Sequence, residues 1–421
     1  MYNGLSLDQA PPISVVMRFF LTAPLFGIML GCFLFTYPHE ILTPSHPLSL
    51  IAIHLTFLGV ITMAMMGALF QMQSVLGGRP IPAPAGNGFI IHLFLSIGLL
   101  ALIAGFVLSQ PVLFVIASIL LGASLLYTVT LVLPLLFKGS AHDTIRGMRF
   151  AIIFLALAVF LGIIMASEYA NESFSPSHEL IRSLHYSFGL IGWVAMLIIA
   201  VAFQVVEMFY VTPSFSPWCK RNAFVVLSAA LIGKTIWLIF RLAYGWVFDL
   251  VIGALLIGFV ATTTKRVMMR KRRVSDVSIW FWIGAMGLLL VSLLSNLVFG
   301  VTTHAYFQTL SLITFALFTL SIILGMIGKI VPFLVWFHLN SSGYMDAPIM
   351  SNIIPISLQK ALFGLFAMVS VALMIGVFFA ESFVVGAIAA IVMFSLLLFN
   401  LINALKLYRH TLIHGTRFEQ I

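Results

Sequence analysis

Charge is scarce in this chain. Only 8% of its 421 residues are Asp, Glu, Lys or Arg, while 62% are hydrophobic. A soluble domain carries about 25% charged residues, and the mean hydropathy of +1.16 excludes that class. Cysteine is nearly absent too. Cys32 falls near the outer end of the first apolar run and Cys219 in an inner loop, so the pair lies on opposite sides and a disulfide between them is excluded. Neither belongs to a CxxC or CxxCH motif, which argues against covalent c-type haem attachment. The sequence has no Walker A loop, GxGxxG turn, HExxH or GxSxG motif. Those absences argue against an ATPase, a Rossmann reductase, a membrane zincin and a serine hydrolase. Also missing are the ~10-residue alternating segments of a membrane β-barrel.

What the chain has is apolar length. Runs of roughly 18 or more residues recur throughout, each long enough to span ~30 Å of hydrocarbon. Twelve spans are expected, near 15–37, 47–76, 86–109, 111–137, 147–167, 180–211, 222–241, 245–268, 277–298, 303–337, 355–380 and 383–407. The expected fold is an all-α polytopic membrane protein with a single transmembrane domain over residues 1–421. Residues 1–14 are polar, carry no Lys or Arg, and do not look like a cleavable signal peptide.

The net charge of +9 is distributed as a membrane protein distributes it. Lys and Arg gather in alternate loops and the C-terminal tail, most densely from Lys265 to Arg273, whereas only Arg182 and Arg241 fall in the others. This positive-inside bias places both termini in the cytoplasm. The basic run then orients the eighth and ninth spans and meets anionic headgroups, so the expected partner is the lipid bilayer and not nucleic acid.

The chain also repeats. Met17-Arg18-Phe19 recurs as Met148-Arg149-Phe150, Gly31 as Gly162 and His54 as His185, all with an offset of 131. His304 follows His185 by 119 residues and opens another long span, although no third Met-Arg-Phe accompanies it. The spans thus group as three pseudo-repeats of four, roughly 15–137, 147–268 and 277–407. The second, sixth and tenth spans are the long ones and carry the histidines. Ala68-Leu69-Phe70-Gln71 loosely echoes Ala202-Phe203-Gln204, but Gln71 lies 17 residues after its histidine and Gln204 lies 19 after. Two extra residues rotate a helix by about 200°, so histidine and glutamine superpose in both copies only if a helix contains an irregular turn.

Neutral imidazole ligates haem iron, copper and zinc. Intramembrane ionisable side chains usually face the bundle interior and mark function, although a single histidine is as readily a hydrogen bond to a neighbouring helix. Two arrangements remain open. Two of His54, His185 and His304 sandwich a haem, or all three meet as a three-nitrogen copper or zinc site. His92 reads as a polar contact. His39, His46, His142, His178, His338, His410 and His414 read as solvated loop or tail residues. Glu207, Lys234 and Lys329 are charges within spans and candidates for a proton or ion path. A Glu207–Lys329 ion pair is one expectation, and Lys234 with Asp249 another. Arg18 and Arg149 read as interfacial anchors, and Arg182 as a partner of a haem propionate or of a glutamate in the acidic loop 167–179. Met63, Met65, Met66 and Met72 offer thioethers to Cu(I), but at helical spacing they read chiefly as packing.

Certain stretches resemble a known family. From His54 to Gly77-Gly78 the chain resembles the second helix of haem–copper oxidase subunit I, where a ligand of the low-spin haem precedes a glycine pair. Thr303-His304-Ala305-Tyr306 resembles that family's tenth-helix pattern of two histidines separated by one residue. With twelve spans and cytoplasmic termini, the whole chain is similar to a divergent member of that superfamily. The departures are equally specific. The seventh span, Asn222 to Arg241, lacks the family's histidine pair, Tyr306 replaces the second tenth-helix histidine, and Tyr186-Ser187-Phe188 replaces Pro-Glu-Val-Tyr. The resemblance therefore implies a low-spin b-type haem between His54 and His304, with His185 left for a second haem or a metal. It implies no complete oxygen-reducing centre, so terminal oxidase activity is not expected. Size and topology are similar to the haem- and copper-containing NnrS membrane proteins, whose Trp-His-Ala-His-type motif is absent here.

The leading expectation is a bacterial inner-membrane protein that binds haem, copper or zinc. Its role would be electron transfer with a membrane or periplasmic partner, response to NO or O2, or haem and copper handling. The alternatives are a proton- or ion-coupled secondary transporter and a cofactor-free assembly subunit.

Overall fold

The computed structural model describes residues 10–139, 143–241, 244–271 and 276–418, with only the backbone described for residues 75–77. His142, Arg272 and Arg273 lie outside the described residues. Among the described residues, twelve helices are long and apolar enough to cross a membrane. They are α1 (Ile13–Thr36), α2 (Pro47–Ser74), α3 (Pro84–Leu108), α4 (Pro111–Lys138), α5 (Asp143–Ala170), α6 (His178–Tyr210), α7 (Pro217–Phe240), α8 (Trp246–Met268), α9 (Val277–Thr302), α10 (Ala305–Ser341), α11 (Ile356–Gly376) and α12 (Ser382–His414). The described residues form no β-strand; a single bridge pairs Tyr344 with Arg417.

Local chemistry sets the helix starts. Proline opens α2, α3, α4 and α7, where its missing N–H leaves no intrahelical bond unmade. Ser216 caps α7 by accepting from Cys219 N at 3.2 Å, and Asp276 caps α9 by accepting from Ser278 N at 3.0 Å.

Two helices are irregular in the same place. In α2 the α-helical turns Pro47–His54 give way to a π-helical stretch, Leu55–Thr62. In α6 the turns His178–Tyr186 give way to a π-helical stretch, Ser187–Ala195. The long α10 has no such interruption; its 37 residues are α-helical throughout and reach about 55 Å. These three long helices are the most enclosed, with 67%, 72% and 72% of their most apolar windows buried, against at most 56% elsewhere.

The chain divides into two compact units: Ala68–Val274 with the N-terminal residues, and Pro12–Gly67 with Ser275–Ile421. The first holds α3 to α8. The second holds α1, most of α2 and α9 to α12. This six-and-six division cuts across the grouping into three sets of four, and each unit receives one copy of the clearest repeat: α1–α2 in the second, α5–α6 in the first. Within the second unit Gly27 admits the ring of Phe394, where a β-carbon would stand 2.4 Å away, so α1 and α12 pack in near-backbone contact. Within the first, Gly192 likewise admits Phe154, joining the π-helical part of α6 to α5.

Candidate functional site: the histidines and the ion pairs

His54 and His185 stand in matching places. Each is the eighth residue of its helix, and each lies just before the π-helical stretch. Both are half-buried. The Nδ1–H of His54 donates to the Leu50 carbonyl in its own helix at 2.7 Å. The Nδ1–H of His185 donates across to the Ala158 carbonyl in α5 at 2.8 Å. A carbonyl only accepts, so in the neutral ring this tautomer puts the lone pair on Nε2, the usual metal-ligating atom. The surroundings of the two rings differ. Gly162 leaves room for His185, but its counterpart Gly31 faces Ile391 and the Ala387 carbonyl on α12.

His304 departs from the pattern. It precedes α10 as an exposed, extended N-cap residue, and its backbone N–H, not its ring, reaches Thr302 Oγ1 at 3.5 Å. Among the described residues no three His, Cys, Asp or Glu side chains gather as a metal-holding group. His54 and His304 belong to the second unit and His185 to the first.

The charged candidates all find partners within their own unit. The expected Glu207–Lys329 pair gives way to two others. Glu207 pairs with Lys220 at 2.7 Å and also accepts from Phe215 N at 2.7 Å and Ser214 Oγ at 3.2 Å. Lys329 pairs with Asp276. Lys234 pairs with Asp249 at 2.6 Å, as the sequence suggested. The Glu207–Lys220 and Lys234–Asp249 pairs join consecutive helices near their connection, and Lys329 of α10 pairs with the residue that caps α9. Arg182 pairs with Glu179 of the acidic loop, and Arg149 anchors α5 by donating twice to the Leu136 carbonyl. Met63, Met65 and Met66 are buried, as packing residues are.

One apolar cavity of about 100 Å³ lies in the second unit among α1, α2, α10, α11 and α12. Its hydroxyls are turned to backbone: Ser49 to the Glu40 carbonyl, Thr56 to Ala52 and Thr309 to Leu42. Ser49, Ala52, Ile53 and Thr56 line it from α2. His54 follows Ile53 by one residue, which turns it about 100° from that side chain around the helix, and it does not line the cavity. The space is below the roughly 300 Å³ at which small-molecule sites begin.

The π-helical stretches escape sequence reading because hydropathy is the same in a π- and an α-turn. The mismatch between His–Gln spacings is no signal for them, since both helices carry such a stretch and the two-residue difference remains. No family model and no curated protein matches the chain.

Proposed function

We propose that this chain is a bacterial inner-membrane protein with both termini in the cytoplasm, binding b-type haem, or copper or zinc, with His54 and His185 each a ligand within its own unit. His304 is the remaining candidate ligand. The observation that carries this reading is the shared setting of His54 and His185: the same helical position, the same Nδ1–H tautomer and a π-helical stretch immediately after. Such stretches occur frequently at functional sites, and a ligating histidine commonly donates its other ring N–H to a backbone carbonyl. Bound haem or copper supplies reversible one-electron chemistry or a site for a diatomic gas. The protein's part is to fix the imidazoles and keep them in a low-dielectric setting. The superfamily arrangement of three four-helix arcs, a membrane or periplasmic electron partner, and a role in electron transfer, NO or O2 response or haem and copper handling belong to the same proposal.

The test is a reduced-minus-oxidised optical spectrum with metal analysis of purified wild type, His54→Ala, His185→Ala and His304→Ala. Sharp b-type bands or stoichiometric metal lost in His54→Ala or His185→Ala support the reading. A colourless, metal-free wild type ends it.

A second reading, secondary transport, is favoured by one observation. The chain divides into two units of six membrane helices, each with one copy of the repeated pair, and transporters are commonly built from related halves. Proton-coupled uptake in vesicles tests it. Failure of both assays leaves a cofactor-free assembly subunit.

A further inference from the structure

The last two turns of α12 carry a pair of side chains that neither functional reading uses. His410 and His414 are one helical turn apart, both exposed, with ring centroids 4.8 Å from each other. Residues four apart project from one face of a helix. A divalent ion holds imidazole nitrogen at about 2.0–2.1 Å, and with the ring centre ~1.1 Å further out, two imidazoles on one ion at ~90–110° have centroids about 4.5–5.2 Å apart. The observed separation falls inside that window before any ion is added.

The scaffold beneath the pair is held by more than its own helix. His414 is the final residue of α12, where a helix ordinarily frays. Here Gly415 N donates to the Thr411 carbonyl at 2.8 Å. The segment after it is clasped by the α10–α11 connection: Met345 N donates to the Thr416 carbonyl at 3.0 Å and Phe418 N to the Gly343 carbonyl at 3.0 Å. Tyr344 Oη donates to the Leu412 carbonyl at 3.0 Å, and Asp346 accepts from Thr416 N at 2.9 Å. Gly343 makes the clasp possible, since its φ of +80° is a conformation other residues rarely adopt.

We propose that His410 and His414 form a two-histidine surface site for a divalent transition metal, copper(II) above zinc. Nitrogen donors without carboxylates select against Mg2+ and Ca2+, and the Irving–Williams order places Cu2+ first. Lys406, Arg409 and Arg417 are nearby in sequence, and their charges weaken the binding of a cation. Two protein nitrogens leave coordination positions for water or for a donor's own groups, the mark of an exchangeable site. The assignment is independent of His54 and His185.

The full chain in detergent is titrated with Cu2+ in a weakly competing glycine buffer, followed by calorimetry and electron paramagnetic resonance. Wild type, His410→Ala, His414→Ala and the double variant are compared. The expected result is about one Cu2+ with two nitrogen ligands from the pair. Each single variant loses affinity at least tenfold, and the double variant loses the site. Thermal midpoints of the variants stay at the wild-type value, since both rings are exposed. Equal copper binding in the double variant, or none in wild type, overturns the proposal. A His54→Ala/His185→Ala protein keeps this site whatever becomes of the intramembrane one.

Discussion

Gly162 lies directly against the imidazole of His185: a β-carbon at position 162 would stand 3.0 Å from Cε1 and 3.4 Å from Nδ1. Gly162→Ala therefore pushes the ring by a few tenths of an ångström, and Gly162→Leu dislodges it from the Ala158 carbonyl. The expected cost for the leucine variant is about 1–3 kcal/mol, from overpacking. Thermal unfolding in detergent measures it, and cofactor content of the same sample reports on His185. Gly31→Ala is the control. It strikes Ile391 and the Ala387 carbonyl, so it loosens α1 against α12 and leaves the histidine signal alone.

Glu207 holds a turn together as well as a charge. Glu207→Ala strands Phe215 N, which lies in a residue only 2% exposed, and is expected to cost about 2–3 kcal/mol. Lys220→Ala removes one ion-pair partner and costs about 1 kcal/mol or less. Unfolding of both singles and the double gives the coupling. If Glu207→Gln keeps stability yet abolishes proton-coupled uptake, the transport reading gains and the structural one loses.

Asp276 combines a helix cap with an ion pair to Lys329. Asp276→Ala removes both, Asp276→Asn keeps the cap, and Lys329→Met removes only the pair. Destabilisation should fall in that order, with the cap supplying about 1 kcal/mol. A Lys329→Met protein less stable than Asp276→Ala contradicts this ranking.

The π-helical stretch of α6 is open to a deletion test. A β-carbon at Gly189 would meet nothing within 4 Å, so removing this residue sacrifices little packing. The deletion restores α-helical winding and changes the orientation of His185 relative to the helix beyond. Folded protein that has lost haem or metal is the expected outcome; unchanged loading separates the π-turn from function.

The ends of α2 and α4 fall within two residues of their sequence expectation, because apolar length is a direct reading of hydrocarbon thickness. Other helices run further. α12 continues to His414 through Lys406, Arg409 and His410, and hydropathy stops at the first charge while helical hydrogen bonding does not. Glu207 was matched to the wrong lysine for a related reason. Neighbouring long spans suggested Lys329, but the short connection after α6 brings Lys220 back within 2.7 Å, and loop geometry of that kind carries no periodic signal. The matching sites of His54 and His185 were legible from the repeat. The exposed position of His304 was not, since nothing in Thr303-His304-Ala305 marks where α10 begins.

The clasp between residues 343–346 and 416–418 has a practical consequence for handling the protein. A truncation or reporter fusion at His414 would remove the strand-like partner of Tyr344 and leave the amides of Met345 and the carbonyl of Gly343 to water, loosening the α10–α11 connection at a distance in sequence of about 70 residues. A fusion joined beyond Phe418 keeps those bonds. Where a tag is attached therefore decides whether the purified material has an intact end to its last helix.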